Sequence, residues 1–434
     1  MLQTIRNAWR VDDIRKKLLF MMFIILLFRL GNAVTVPFVD TYLLSAFFQE
    51  TQVGLLGLLN TMSGSALERA SIFALSIQPY INASIIMQLL TIAIPALERM
   101  RKEGGEEGKK KIEKITRYAT IAIAALQGFA YYTLISAHDD NLGGSMLMPG
   151  AEGIFPAIVI VATFMTGSAL LMWMGEQITE FGIGNGISII LFVSIVARFP
   201  TEIGHMITRS IQDPSTILIH VLMLIGALAI IVLIVIVQNS ERRIPVQYSK
   251  RVVGRKMYGG QSTHLPMKVN MSGVLPIIFA QSIASIPVTI VVFVPAWRYS
   301  WFAQTFDINT VPYMVLYFLL IIFFSYFYST VQFNPVEIAN NLKKNGGFIP
   351  GFRAGKPTSE FIQKVLTKIT LFGAIYLGIV AIAPIIVSAV SETAAMAGIA
   401  MGGTSIIIVV SVALETIKQL ESQMLMRHYK GFLE

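Results

Sequence analysis

The chain contains no cysteine in 434 residues, so neither a disulfide nor a thiolate metal site can be built from it. Histidine is also scarce. His138, His205, His220, His264 and His428 are scattered, none pairs at metal-ligand spacing, and there is no H-E-x-x-H pattern. No G-x-S-x-G nucleophile elbow occurs. Charge is the third shortage: Asp, Glu, Lys and Arg make up 14% of the chain, against about a quarter in a soluble domain. Within the long apolar segments ionisable side chains are nearly missing; Arg29 and Glu415 lie toward segment ends. Ion-coupled pumps and carriers of charged solutes place acids and bases inside their spans, so this scarcity argues against ion-coupled transport and intramembrane catalysis. The glycines of GEQITEFGIGNG (residues 175–186) follow no strand and have no lysine beside them. They read as a tight turn with left-handed glycines rather than a phosphate cradle. Glu176 and Glu180 in the same stretch read as a cap or an interhelical contact. No metal, no cofactor and no catalytic residue is expected.

What the chain has is hydrophobicity: 54% of its residues, with a mean hydropathy of +0.66. A membrane span needs roughly 20 predominantly apolar residues. Ten segments meet or approach that length, at 18–36, 72–94, 118–137, 154–174, 183–199, 217–237, 273–295, 311–331, 369–390 and 398–417. The first is too long for a signal-peptide core and lacks a small-residue cleavage site, so it reads as retained. The expected fold is an all-α polytopic membrane protein with ten transmembrane helices. Five and five suggest two halves, residues 1–205 and 206–434.

Charge sets the expected orientation. Of 34 basic residues, 29 fall in the N-terminal segment, alternate loops and the C-terminal segment that share one side. Cytoplasmic loops collect Lys and Arg, which places both termini in the cytoplasm. Two of these loops, 238–270 and 334–368, are long for a compact protein. In the first, alternation over residues 243–253 followed by Gly259-Gly260 predicts a β-hairpin standing off the membrane and turning at the glycines. In the second, Gly346-Gly347, Pro350-Gly351 and Gly355 are turn signals that hold Arg353 on a tip. The plain account of these charges is topology and contact with anionic lipid. It does not explain hairpin form or length. A docking surface for large cytosolic partners, acidic proteins or ribosomal RNA, explains both.

The stretch NTMSGSALERASIFALSIQPYINASI, from Asn60, is unusual. Its first half is small and polar and runs into a span read as starting at Ile72. Residues 61–70 read as a helix shorter than the ~12–15 residues needed for marginal stability in water, with small side chains that bury little. Asn82 and Gln127 are uncharged polar residues within spans two and three, and Gln281 is another in span seven. By themselves they read as interhelical hydrogen bonds.

Four motifs carry a resemblance: RASIFALSIQPYINASIIMQLL from Arg69, MWMGEQITEFGIGNGISII from Met172, QSTHLPMKVNMSGVLPIIFA from Gln261 and FNPVEIANNLKKNGGFIPGFRAG from Phe333. Together, in this order and with ten spans, the chain resembles the SecY family, the channel subunits of the Sec protein translocase. The resemblance implies a clamshell of two pseudo-symmetric five-helix halves around an hourglass pore. It implies a pore ring of Ile77, Ile81, Ile187, Leu191, Ile278 and Ile408, although the family more often has Ile where Leu191 stands. Ile77 and Ile81, like Ile187 and Leu191, are four apart and share a helix face. The resemblance makes the stretch Thr61, Met62, Ser63, Gly64, Ser65, Ala66, Leu67, Glu68, Arg69 and Ala70 a plug; the plain alternative is an extracellular re-entrant turn. It puts Asn82, Gln127 and Gln281 at a lateral gate between spans two and three and spans seven and eight. It assigns Arg243, Lys250, Arg251, Arg255, Lys256 and Arg353 to docking of the motor ATPase SecA and the ribosome. The implied partners are the small subunits SecE and SecG, signal peptides, translocating polypeptides and anionic lipids. Competing classes are a secondary transporter with a broken helix at its site and an intramembrane enzyme.

Overall fold

The computed structural model describes residues 2–50, 60, 62–136, 145–151, 153–248, 251–253, 256–258, 262–271, 273–287, 300–307, 310–390 and 403–430. Among the described residues, ten helices overlap the ten apolar segments: α1 (Asp12–Gly31), α2 (Gln78–Ala93), α3 (Gly105–Ser136), α4 (Ile154–Phe181), α5 (Gly186–Val196), α6 (Ile217–Asn239), α7 (Leu275–Ala284), α8 (Val311–Gln332), α9 (Lys356–Val390) and α10 (Gly403–Lys430). Among the described residues six helical stretches are long and apolar enough to cross a membrane. They are α3, α4, α5 with its continuation to Gln212, α6, α8 with its continuation to Lys344, and α9. A seventh is α2 taken together with Pro95–Arg101, bent by 103°. The bend has a local cause: Ile94 precedes Pro95 and is extended (φ −106°, ψ 111°), as the proline ring demands of its predecessor. Helix α1 opens on a charged turn, Asp12 to Lys17, and α7 has only ten residues before the undescribed stretch 288–299.

Helix α6 shows what solvent these helices meet. It is apolar all round, yet Leu218, Leu222 and Leu228 stand 77%, 70% and 62% exposed. Burying a leucine stabilises by about 1.5–3 kcal/mol, so a helix with so many bare leucines belongs in lipid. The chain is a multi-pass membrane protein.

Helices α1 to α5 pack on one another, with α3 against both α2 and α4 and α1 against α4. Helices α7, α8 and α9 form a second group that α10 joins to α6. Between the groups, α2 packs on α7 and α5 on α10.

Span two differs from its expected form. Residues 72–77 are turns, and the helix begins only at Gln78, with Pro79 in its first turn. Proline there loses no hydrogen bond and starts a helix rather than kinking it. Irregular backbone at membrane depth survives only when covered by protein, and Phe73, Ala74, Ser76 and Ile77 are buried. The cover includes Gly167 of α4, where a Cβ would lie 2.0 Å from the Ile72 carbonyl oxygen. Gly167→Ala therefore forces the two segments apart. It is expected to lower stability by about 1–3 kcal/mol, read as a fall in melting temperature in detergent. Gly226→Ala in α6, where an added methyl meets nothing within 4 Å, should not lower it.

The two long basic loops form one body. Strand β1 (Glu241–Tyr248) pairs antiparallel with β4 (Ser262–Lys268), in a register from Glu241↔Lys268 to Gln247↔Ser262. Beyond it β2 (Arg251–Val253) pairs with β3 (Lys256–Tyr258), Val253 opposite Lys256. The hairpin thus reverses between Val253 and Lys256; Gly259-Gly260, where its sequence predicts the turn, lie outside the described residues. The register decides the reversal, because two residues suffice for a tight hairpin turn. The second loop adds β5 (Gly347–Phe348) to the other edge of β1, with Gln247↔Phe348 and Tyr248↔Gly347. Beneath the sheet, Ile244, Val246, Met267, Ile349, Ile362 and Leu366 make a separate apolar core with the start of α9.

Candidate functional site

Several apolar residues at the centre lie at helix starts. Ile77 is the N-cap of α2 and Ile81 lies in its first turn. Asn185 caps α5, its Oδ1 accepting from the N–H groups of Ile187 (3.1 Å) and Ser188 (3.4 Å). Thr179 Oγ1 accepts from the Gly186 N–H at 2.9 Å and donates to the Gly175 carbonyl at 2.9 Å. These contacts fix the turn that sequence reading assigned to glycines; of the four, only Gly184 is left-handed (φ 91°). Glu176 makes the interhelical contact, accepting from Arg117 Nε at 2.8 Å. Ile278 follows Pro276 in the first turn of α7, and Ile408 lies on α10.

Ile77, Ile81, Leu191, Ile278 and Ile408 are buried members of one apolar cluster, and half-buried Ile187 packs against it. Ile77 and Ile187 approach the same point, since a Cβ on Gly175 would lie 3.5 Å from Ile77 Cδ1 and 3.2 Å from Ile187 Cγ1. The cluster draws on α2, α5, α7 and α10, and so on both packing groups. An apolar constriction offers nothing to replace an ion's hydration shell.

The segment 62–70 closes against this cluster. It is not the single short helix expected: after Met62 and Ser63 the chain runs through turns, with Gly64 (φ 68°), Ser65 (φ 66°) and Ala70 (φ 43°) left-handed. Thr61 lies outside the described residues. It also buries more than its small side chains suggest. Met62 joins the central cluster, while Leu67 and Ala70 join a second one with Tyr131 and Phe164. Gly64 packs where a Cβ would lie 2.7 Å from the Ser194 carbonyl of α5. Asn60 ties the segment's ends, donating from Nδ2 to Glu68 Oε2 (2.7 Å) and accepting at Oδ1 from the Glu68 N–H (3.1 Å). The Tyr131 hydroxyl donates to the Leu67 carbonyl. On the far side Val36 N–H donates to the Ala70 carbonyl at 2.8 Å.

Next to this segment is a cavity of about 100 Å³ lined by Met62, Ser76, Gln78, Asn82 and Gln127, among others. Helices α2 and α3 thus turn their uncharged polar residues to one space. Gln281 of α7 is buried, and its Nε2 lies 3.2 Å from Met62 Sδ. Among the described residues Gln281 Oε1, Gln78 Oε1 and Ser76 Oγ have no hydrogen-bond partner.

At the sheet end, Arg353 is exposed between left-handed Gly351 (φ 88°) and Gly355 (φ 107°). Phe352 beside it stacks on Phe361 with centroids 4.2 Å apart. Arg243 is exposed and pairs with Glu241 at 2.7 Å. Arg251 and Lys256 lie in β2 and β3, while Lys250 and Arg255 fall outside the described residues.

A family model described as SecY matches residues 71–417. The chain is 44% identical to the protein translocase subunit SecY of Streptomyces coelicolor, covering 100% of both. The chain belongs to the SecY family. It is a channel subunit of a protein translocase. Its fold is similar to solved channels at low identity. A structure described as that of a protein conducting channel matches with a TM-score of 0.67 and 16% identity, over 95% of this chain and 93% of the other. Sec61 in a canine ribosome-channel complex matches at 0.64 and 14%, over 95% and 93%.

Within this SecY-family chain, sequence reading did not find Tyr131, Gln78 or the Met62–Gln281 contact. A tyrosine in a span carries no signal that its hydroxyl holds a loop carbonyl. Met62 gave one weak sign, as one of two large apolar residues, with Leu67, in a small, polar run.

Proposed function

We propose that this SecY-family channel passes unfolded secretory polypeptides through the apolar cluster between residues 1–205 and 206–434, and releases apolar segments sideways between α2/α3 and α7/α8. The observation that supports this reading is that six aliphatic side chains from both packing groups belong to or pack on one apolar cluster, which Met62 of segment 62–70 also joins. A solute carrier would need a polar substrate site at that depth. The residues Ile77, Ile81, Ile187, Leu191, Ile278 and Ile408 form the seal, segment 61–70 is the plug, and Asn82, Gln127 and Gln281 line the gate. The channel is passive, and ATP is hydrolysed by a cytosolic motor of the SecA kind. That motor and the ribosome dock on the sheet and on Arg353, which the basic charge and the rigid union of both loops support. SecE and SecG complete the translocase, and anionic lipids contact its basic face. The setting is the cytoplasmic membrane, crossed ten times, with both termini inside.

The test is a photo-crosslinker placed at Ile77 or Ile278 with a secretory chain stalled in transit. Adducts at both positions, and none at lipid-facing Leu222, are the expected result. Uptake of small solutes by proteoliposomes without any such adduct would support the carrier reading instead.

A further inference from the structure

Beyond the seal, on the side of the basic sheet, lies a cavity of about 350 Å³. Its place follows from helical spacing. On α10, Ser411, Glu415, Lys418 and Ser422 continue from Ile408 at steps of three or four, and all four line the cavity. On α5, Ser188 and Asn185 lie three and six residues before Leu191 and line it too. On α7, Val274 and Leu275 do the same just before Ile278. Residues three and four apart share a helix face, so the faces that carry the seal carry this cavity one or two turns further on. The wall changes from aliphatic to polar within that distance. Ser411 is buried and accepts from Gln238 Nε2.

Three charges line this mouth. Lys268 ends β4, and Glu415 and Lys418 come from α10; all three are exposed. Lys418 lies just past the apolar stretch of its helix. Partial burial, and then the charge of Lys268, lower its pKa, against the opposing pull of Glu241 and Glu421. The two lysines therefore feel each other across the opening.

We infer that Lys268 and Lys418 form a charge filter at the channel entrance, slowing basic stretches of an entering polypeptide, with Glu415 partly offsetting them. This rests on the channel reading and its orientation. A chain threading toward the seal must bring each side chain past these groups. In a wet mouth, a lysine about 8 Å from a passing cation slows it roughly twofold, and two act together. Such a filter would help to hold basic flanks on the cytoplasmic side, the bias seen in membrane-protein loops.

The test uses the full translocase in vesicles with its motor and three versions of one secretory reporter, carrying a run of glutamines, lysines or aspartates. The readout is the ratio of crossing rates for the glutamine and lysine runs. The K268Q/K418Q double variant should bring this ratio down by about twofold or more, and E415Q should raise it by a similar factor. The glutamine-run reporter should cross equally fast in all variants. Opposite signs for lysine and glutamate variants are not what general damage produces. An unchanged ratio, or a shift of the same sign in both, overturns the filter. Should a variant fail to fold, the salt dependence of the wild-type ratio decides. The ratio should fall toward one at high salt, and a salt-independent ratio overturns the filter as well. If no reporter crosses the wild-type protein, the channel reading itself fails.

Discussion

Arg353→Glu is expected to reduce ATP-driven polypeptide transport to background while the protein stays folded. Nothing that shapes the tip depends on the guanidinium. The turn is set by Gly351 and Gly355, the Phe352–Phe361 stack and the Thr358 hydroxyl, which donates to the Arg353 carbonyl at 2.7 Å. Position 353 also lies three residues before α9, where a helix N-terminus favours negative charge by about 0.3–1 kcal/mol. Folding therefore gains slightly, if anything. Docking is another matter. Removing one side of a desolvated charge contact costs about 2–5 kcal/mol, roughly 30- to 4,000-fold in affinity, and reversal adds repulsion. The measurement is transport into vesicles with purified motor, next to a melting curve of the variant. Arg353→Lys keeps charge but loses the planar fork and should fall between. Normal transport by the glutamate variant would remove Arg353 from the coupling.

Deleting residues 61–70 should open a standing ion leak through idle channels, many-fold above the intact protein in planar bilayers. Two opposing terms act on segment 61–70. Ordering its backbone costs about 1–2 kcal/mol per residue. Burying Met62 and Leu67 returns about 1.5–3 kcal/mol each, and the Asn60–Glu68 and Tyr131–Leu67 contacts add to that. A smaller perturbation separates this account from general damage. Tyr131→Phe removes one hydrogen bond, about 1 kcal/mol, and should raise the leak roughly fivefold, well short of the deletion. An unchanged conductance on deletion would return the segment to its plain reading as a re-entrant turn.

Legibility followed the range of the interactions. The stretch 175–186 reads as a turn with an interhelical glutamate, and the structure has left-handed Gly184 there and Glu176 accepting from Arg117. The glycines around Arg353 read as turns, and the tip forms there. Both turns are local, because a turn satisfies backbone groups a few residues away. Span two shows the opposite case. Residues 72–77 are apolar enough for helix, yet they run as turns because Gly167 lets α4 approach the Ile72 carbonyl and bury it. The hairpin glycines did not mark the reversal, because the pairing of β2 with β3 puts it between Val253 and Lys256.

The sequence by itself determined the lipid-facing helices, the basic face and the absence of metal-thiolate chemistry. Each follows from the free energy of single side chains in hydrocarbon or water, which needs no knowledge of neighbours. Tertiary structure decided which aliphatic residues join the central apolar cluster, that Met62 of segment 62–70 is buried in it, and that two basic loops share one sheet. Those are contacts between residues distant in the chain, and their energies exist only once packing has brought both partners together.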